Sequence, residues 1–293
     1  MSSRGFAQKQ IAITIDDLIL GGGFISLEHT EQVNQKIIQS CLEYGVPAIG
    51  FVNEGKLDRS EKARRIAILQ NWVDAGLSLG NHTYSHPSLS RTPLHAYQED
   101  VIKGETITRR ILSEANQELT YFRHPFLHTG PDSLTKAAFE KFLSDKGYVV
   151  APVTAESSDY IFNKIYVDAI KKKDTAMMKE IGAAYLVYTK QMIQYFEGVS
   201  DELFVRQVAQ TFLCHVNAIN ADYLDDIFSH LQSIGYQFVT LPEALKDEAY
   251  LSKDHYIGTW GISWFYRWDE KGTKQWLEKE PEVDQKWLDL YNN

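Results

Sequence analysis

The chain is poor in several things that would dictate its architecture. Cys41 and Cys214 are its only cysteines among 293 residues, too few for a disulfide framework. Each sits in an apolar run, so both read as buried thiols. Proline is scarce at 8 residues, and no Pro-, Gly- or Ser-rich stretch reads as a linker. No apolar run approaches the roughly 18 residues of a membrane span. Positive charge is the scarcer sign: 30 Lys and Arg stand against 39 Asp and Glu, a formal net charge of −9. That balance argues against a nucleic-acid backbone or an anionic membrane as the main partner. The opening Met1-Ser2-Ser3-Arg4 has no apolar core of a signal peptide. Gly5-Phe6-Ala7 before Gln8 fits a small-x-small cleavage scar. The expectation is an exported protein if Ala7-Gln8 is such a scar, and a cytoplasmic one otherwise.

What is present is an ordinary globular mixture, 44% hydrophobic and 24% charged. A chain of this length buries a large core without staples. Seven short strand patterns stand out, at Ile11–Ile15, Ala48–Asn53, Leu77–Gly80, Thr120–Phe122, Tyr148–Ala151, Phe212–Cys214 and Tyr236–Val239. Between them run helical patterns at about 27–44, 61–75, 96–118, 133–145, 161–195 and 222–233. Alternating strands and helices predict a parallel sheet with right-handed crossovers. The even spacing favours closure into a barrel over an open doubly wound sheet. No G-x-G-x-x-G follows the first strand. Gly21-Gly22-Gly23 lacks the Lys-Ser/Thr of a phosphate loop and reads as a flexible loop. Lys171-Lys172-Lys173 reads as a solvated helix face.

The polar residues fall at informative places. Asp16-Asp17, His82, Arg123 and His215 each come just after a predicted strand, so a parallel barrel gathers them on one rim, where active sites lie. His82-Thr83-Tyr84-Ser85-His86 puts two imidazoles four apart on a tight turn, donors suited to zinc, cobalt or nickel. Paired histidines also occur as polar caps, and adjacent acids after a strand often cap a helix. At a strand end, however, Asp16 and Asp17 point different ways, so one can bind a metal while the other faces substrate.

These residues resemble the polysaccharide deacetylases, carbohydrate esterase family 4, over about residues 11–240. Thr14-Ile15-Asp16-Asp17 looks like the first motif of that family, and Asn81-His82 through His86 like the second. Arg123-His124-Pro125-Phe126 resembles the third, Ser158-Asp159-Tyr160 the fourth and Leu213-Cys214-His215 the fifth, all in the family's order. The resemblance implies that Asp17, His82 and His86 hold a divalent metal, zinc foremost, with cobalt and nickel also suited. Asp16 becomes the base, and Arg123 its partner, an arrangement expected to lower the carboxylate's pKa. His215 becomes the acid, with Asp159 holding its other nitrogen. Pro125 and Phe126 border the oxyanion side, where the Phe126 N–H meets developing charge. Tyr160 stands where the family has tryptophan and forms one wall of the cleft. Asn217 lies close enough to His215 to touch substrate, and Asn220 reads as the cap of the following helix.

The expected architecture is therefore an α/β deformed (β/α) barrel of about seven parallel strands. It spans residues 8–245, with a helical insertion at about 161–204, and an aromatic-rich extension at 246–293 packs on it. The third motif departs from the family where Phe126 runs into Leu127-His128-Thr129-Gly130 rather than Gly or Asn. His124 and His128 flank it and read foremost as hydrogen-bonded loop histidines. Five of six tryptophans crowd the tail. Trp260, Trp264 and Trp268 recur every four residues, as in a packing stripe, although a sugar-stacking platform is the alternative. The implied function is metal-dependent removal of acetyl groups from an N-acetylated sugar or glycan. Two alternatives stand beside it: hydrolysis of another non-peptide C–N bond, as in a ureide or small N-acyl amide, and glycan binding without catalysis. The sequence leaves the oligomeric state open.

Overall fold

The computed structural model describes residues 9–293, so the Ala7-Gln8 junction lies outside the described residues. Eight strands form one sheet: β1 (Lys9–Leu18), β2 (Ile49–Val52), β3 (Ser78–Asn81), β4 (Tyr121–Phe122), β5 (Val149–Val150), β6 (Ala155–Glu156), β7 (Gln210–His215) and β8 (Tyr236–Phe238). Seven follow the order β5-β4-β3-β2-β1-β7-β6, and β8 pairs with β1. Every pairing is parallel. This is the deformed (β/α) barrel the alternation predicts. β1 is central because it is apolar on both faces: Ile11, Ala12, Ile13 and Ile15 are all buried. β6 escapes sequence reading, since two residues offer no period to detect.

The helices are α1 (Leu27–Tyr44), α2 (Lys62–Asp74), α3 (Leu94–Lys103), α4 (Thr106–Glu114), α5 (Ser133–Asp145), α6 (Asp159–Lys172), α7 (Thr175–Phe204), α8 (Ala218–Ser233), α9 (Leu241–Ala244), α10 (Trp264–Trp268), α11 (Lys274–Leu277) and α12 (Gln285–Asn292). α1 shows why boundaries were readable: Ser26 accepts a hydrogen bond from the His29 N–H, and Gly45 closes the helix at φ 64°.

Three local expectations need correction. The pattern over 96–118 is two helices, broken at Gly104. A Cβ there would lie 2.5 Å from the Thr83–Tyr84 backbone, so the chain turns where it must touch the His82–His86 loop. The long helical pattern is likewise two helices, α6 and α7, separated by Lys173 at φ 58° with Asp174 capping the second. Lys171–Lys173 is accordingly an exposed helix end. Finally, Asn217 rather than Asn220 caps α8, accepting from the Asn220 N–H at 2.9 Å.

The sheet's outer strands, β5 and β6, are joined by no pairing among the described residues. The C-terminal segment crosses that gap. The Trp264 N–H donates to the Val153 carbonyl at 2.7 Å, and the Ser263 hydroxyl to Thr154 at 2.7 Å. The buried Arg267 reaches the third-motif loop, donating to the Leu127 carbonyl at 2.7 Å and to Thr129 Oγ1 at 2.8 Å. Trp264, Trp268, Trp276 and Trp287 are buried, whereas Trp260 is 76% exposed and lies outside the helix. The every-four-residues stripe thus reduces to Trp264 and Trp268. Both cysteines are buried and unpaired.

Candidate active site

The rim predicted from strand ends is where the polar residues converge. Near the end of β1 stand Asp16, buried, and Asp17, part-buried and left-handed at φ 71°. His82 follows β3, and its loop is held from three directions. Asn81 accepts from the Thr83 N–H at 2.7 Å, Thr83 Oγ1 from the His86 N–H at 3.0 Å, and Asp100 from the N–H groups of Tyr84 and Ser85 at 2.9 Å each. Thr83 and His86 are also left-handed, at φ 68° and 61°.

One donor atom each of Asp17, His82 and His86 lie within 4.8 Å of one another. The tautomer suits ligation. His82 Nδ1 stands 2.8 Å from the Arg123 carbonyl, which can only accept, so Nδ1 carries the proton and Nε2 presents a lone pair. Burial keeps both imidazoles neutral, holding His82 well below its ordinary value and His86 below it. Burial opposes ionisation of Asp17, yet the Lys56 ammonium foremost holds it well below the usual carboxylate range. One anionic oxygen donor and two neutral nitrogen donors are what a zinc-like cation takes. Lys56 was not foreseen. Its Nζ donates to Asp17 Oδ1 at 2.7 Å and to the Asp17 carbonyl at 3.0 Å.

Asp16 and Arg123 form a loose buried pair, with Nη1 to Oδ2 at 3.6 Å. Arg123 Nη2 donates to Thr14 Oγ1 at 2.8 Å, and the guanidinium lies over Phe51 with 4.8 Å to the ring centroid. Asp16 Oδ1 and Arg123 Nε and Nη1 have no hydrogen-bond partner. Burial therefore wins. It pushes Asp16 up to about 6 despite the opposing pull of Arg123 and His215, and it lowers Arg123. The expected lowering of the Asp16 pKa is thus reversed, because at 3.6 Å the guanidinium does not replace the lost hydration.

The acid side is built oppositely. His215 Nδ1 is 2.7 Å from Asp159 Oδ1, and its backbone N–H donates to Asp159 Oδ2 at 2.8 Å. Asn217 donates to that same oxygen at 2.9 Å, and Asn220 also donates to it. Tyr185 of the helical insertion donates to Asn220 Oδ1 at 2.6 Å. Burial opposes charge on His215, but Asp159 outweighs it and pushes the imidazole up to about 10. Asn217 is fully buried with its amide spent on Asp159 and its oxygen on the α8 cap. It braces the dyad and does not line the open cleft, correcting its reading as a substrate contact. Gly21 makes this packing possible: a Cβ there would sit 3.1 Å from His215 and 3.2 Å from Asp17. The triple glycine is a point of close approach as well as a loop.

On the third side, Pro125 is buried and Phe126 is 54% exposed, its ring centroid 4.5 Å from that of His86. Phe126 and Leu127 are left-handed, at φ 58° and 55°. The turn is clamped from the C-terminal segment by Arg267 and by Gly261, where a Cβ would meet the Phe126 carbonyl at 1.8 Å. His124 is buried against Phe122 and Phe139, and His128 Nδ1 bonds Ser88 at 2.8 Å. His128 is the loop histidine expected, while His124 packs among rings with Nδ1 unpartnered. Tyr160 is half-exposed, its ring edge-on to Tyr291 at 6.2 Å. The sequence offered no signal for Lys56, Tyr185, Asn220 or Arg267 as site-supporting residues, because each arrives from a separate element.

Comparison with known proteins agrees with the motif reading. Residues 3–142 match the polysaccharide deacetylase family model, a little under half of the chain, and contain the first three motifs. The peptidoglycan-N-acetylglucosamine deacetylase of Bacillus cereus is 27% identical over 139 residues, 47% of this chain and 44% of that protein. The chain thus matches less than half the length of that relative. Among solved structures, a CE4 family pseudoenzyme of Bacillus anthracis superposes with a TM-score of 0.55 at 17% identity, over 81% of this chain and 66% of that one. A peptidoglycan N-acetylglucosamine deacetylase in complex with a substituted N-oxidanyl-benzamide gives 0.53 at 20% identity, over 82% and 89%. At such identities these structures share the fold.

Proposed function

We propose that this chain, which is similar to the polysaccharide deacetylases over residues 3–142, hydrolyses the acetamido group of an N-acetylated sugar or glycan in a metal-dependent reaction. The observation that carries this reading is the Asp17–His82–His86 cluster beside the buried Asp16 and the His215–Asp159 dyad. Asp17, His82 and His86 would hold a divalent cation. Such a cation supplies Lewis acidity toward the acyl oxygen and the attacking water.

The protein's own groups account for the proton traffic. Asp16, ionised, takes a proton from the water that attacks the acetyl carbon, and Arg123 keeps its carboxylate in place. The Phe126 N–H, on its clamped turn, faces the oxygen on which charge develops. His215 carries its proton on Nε2 across the neutral range and gives it to the departing nitrogen as the C–N bond breaks. An amide needs that acid because an amine anion is a very poor leaving group. Water and amide become acetic acid and amine, with one proton taken by Asp16 and one given by His215, and the acid then ionises to acetate in solvent.

The test is acetate release by the zinc-loaded protein from N-acetylated glycans and small N-acyl amides, with Asp16→Asn as blank. Asp16-dependent acetate from a glycan is the expected outcome. Turnover confined to small amides moves the substrate class to the ureide and N-acyl reading. Glycan binding with no turnover at saturating metal selects the non-catalytic alternative.

A further inference from the structure

Lys56 is the feature the proposed reaction does not use. Its ammonium sits on the anionic member of the cluster, 2.7 Å from Asp17 Oδ1, and that oxygen is also 3.7 Å from His86 Nε2. The lysine is placed by a built turn. Residues 54–56 form a 3-10 turn after β2, and Gly55 packs so closely on the second-motif loop that a Cβ would lie 2.6 Å from the Tyr84 carbonyl. The Gly55 N–H donates to that carbonyl at 2.9 Å. Glu54 is buried and accepts from the Thr108 N–H at the start of α4 at 2.7 Å, and Leu57 is fully buried. The backbone on both sides of Lys56 is therefore fixed, and its side chain, part-buried, reaches one target.

We propose that Lys56 is an internal competitor for the Asp17 carboxylate, so that a divalent cation entering the Asp17–His82–His86 cluster must displace or share an ammonium already bonded there. Two cations facing one carboxylate oxygen repel, and that oxygen's lone pairs are partly committed to the lysine N–H. The consequence is a site of weaker metal affinity than its three donors alone would give, with a metal that exchanges or strips readily. The inference rests on the reading of Asp17, His82 and His86 as ligands.

The experiment is zinc titration of metal-stripped full-length protein against a chromogenic chelator, which reads Kd without reference to turnover. Wild type is compared with Lys56→Met, Lys56→Gln and Lys56→Arg, with the exposed Lys62→Met as a charge-matched control. Lys56→Met is expected to lower Kd by about tenfold or more. Lys56→Gln, which keeps a hydrogen-bond donor near Asp17, should do the same and stands in if the methionine variant does not fold. Lys56→Arg retains the charge and should stay near wild type, as should Lys62→Met. Unchanged or raised Kd in both the Met and Gln variants overturns the competitor role and makes Lys56 a residue that orients Asp17. Equal tightening in Lys62→Met also overturns it, reducing the effect to net charge. Absence of zinc binding in every protein, Lys56 variants included, overturns the ligand reading itself.

Discussion

Two buried carboxylate–cation pairs meet where β1 and β7 run side by side, Asp16 being the register partner of His215, and they are built on opposite plans. Asp159 is saturated: His215, Asn217, Asn220 and a backbone N–H all donate to it. Asp16 has a guanidinium 3.6 Å away and an oxygen with no partner at all. The contrast shows that an ion pair does not by itself fix a carboxylate's protonation. Hydrogen bonds that replace lost water stabilise the charged form, and their absence leaves burial to dominate. Asp159 thus stays ionised to hold a cationic acid, while Asp16 keeps an affinity for a proton, as a general base needs.

The sharpest test makes the same isosteric change on both sides. Asp16→Asn should lower kcat by about 10³-fold or more while zinc Kd stays near wild type. Asp159→Asn should retain more activity but lose stability, about 3–5 kcal/mol by chemical denaturation, because it strips a buried imidazolium of its counter-charge. Similar rate losses without a stability difference would break the comparison. Next in size, His215→Ala should cost an amide substrate about 10²-fold but an activated ester less than about tenfold, since the ester's leaving group needs no proton. Equal losses on the two substrates would remove the acid role.

The pairs should also have opposite pH signatures in metal-stripped protein. Asp16 has a folded pKa above its ordinary 3.8, so its ionisation works against folding, and that cost grows as pH rises from there through about 6. His215 has a folded pKa raised from 6.5 to about 10, so its contribution is full below 6.5 and is lost as pH climbs through about 10. Denaturation across pH 4–10 should show both losses. Asp159→Asn should erase only the alkaline one, and should bring the alkaline limb of the loaded enzyme's rate profile down from near 10. An unmoved alkaline limb would detach His215 from that ionisation. The smallest effect expected is for Tyr185→Phe, about 1 kcal/mol, through the unpaired Asn220 oxygen. A stability matching wild type would show that the insertion only packs beside the dyad.

The parallel barrel and its rim were legible in the sequence because both follow from local pattern. Short apolar runs ending in Asp16-Asp17, His82 and His215 alternate with helical patterns, and a parallel sheet sends all such ends to one face. The limits of α1 match the helical pattern over 27–44, and the structure closes them with a capping serine and a left-handed glycine. The splits at Gly104 and Lys173 were not legible, since each answers to packing or capping that periodicity does not encode. The family match over residues 3–142 covers Asp17, His82 and His86, whereas Asp159 and His215 lie beyond it and were read from two short motifs.

Residue types and their order along the chain thus determined which groups stand at the rim. Their electrostatic state was decided only by the tertiary structure. Whether Asp16 sits above or below its ordinary pKa depends on distances to Arg123 and on missing donors, and Lys56 meets Asp17 across 39 residues of chain. The clamp of Arg267 on the Leu127 carbonyl spans 140. Interactions at such separations leave no trace in local periodicity. They arise when the folded core brings distant segments together and excludes the water that would otherwise screen them.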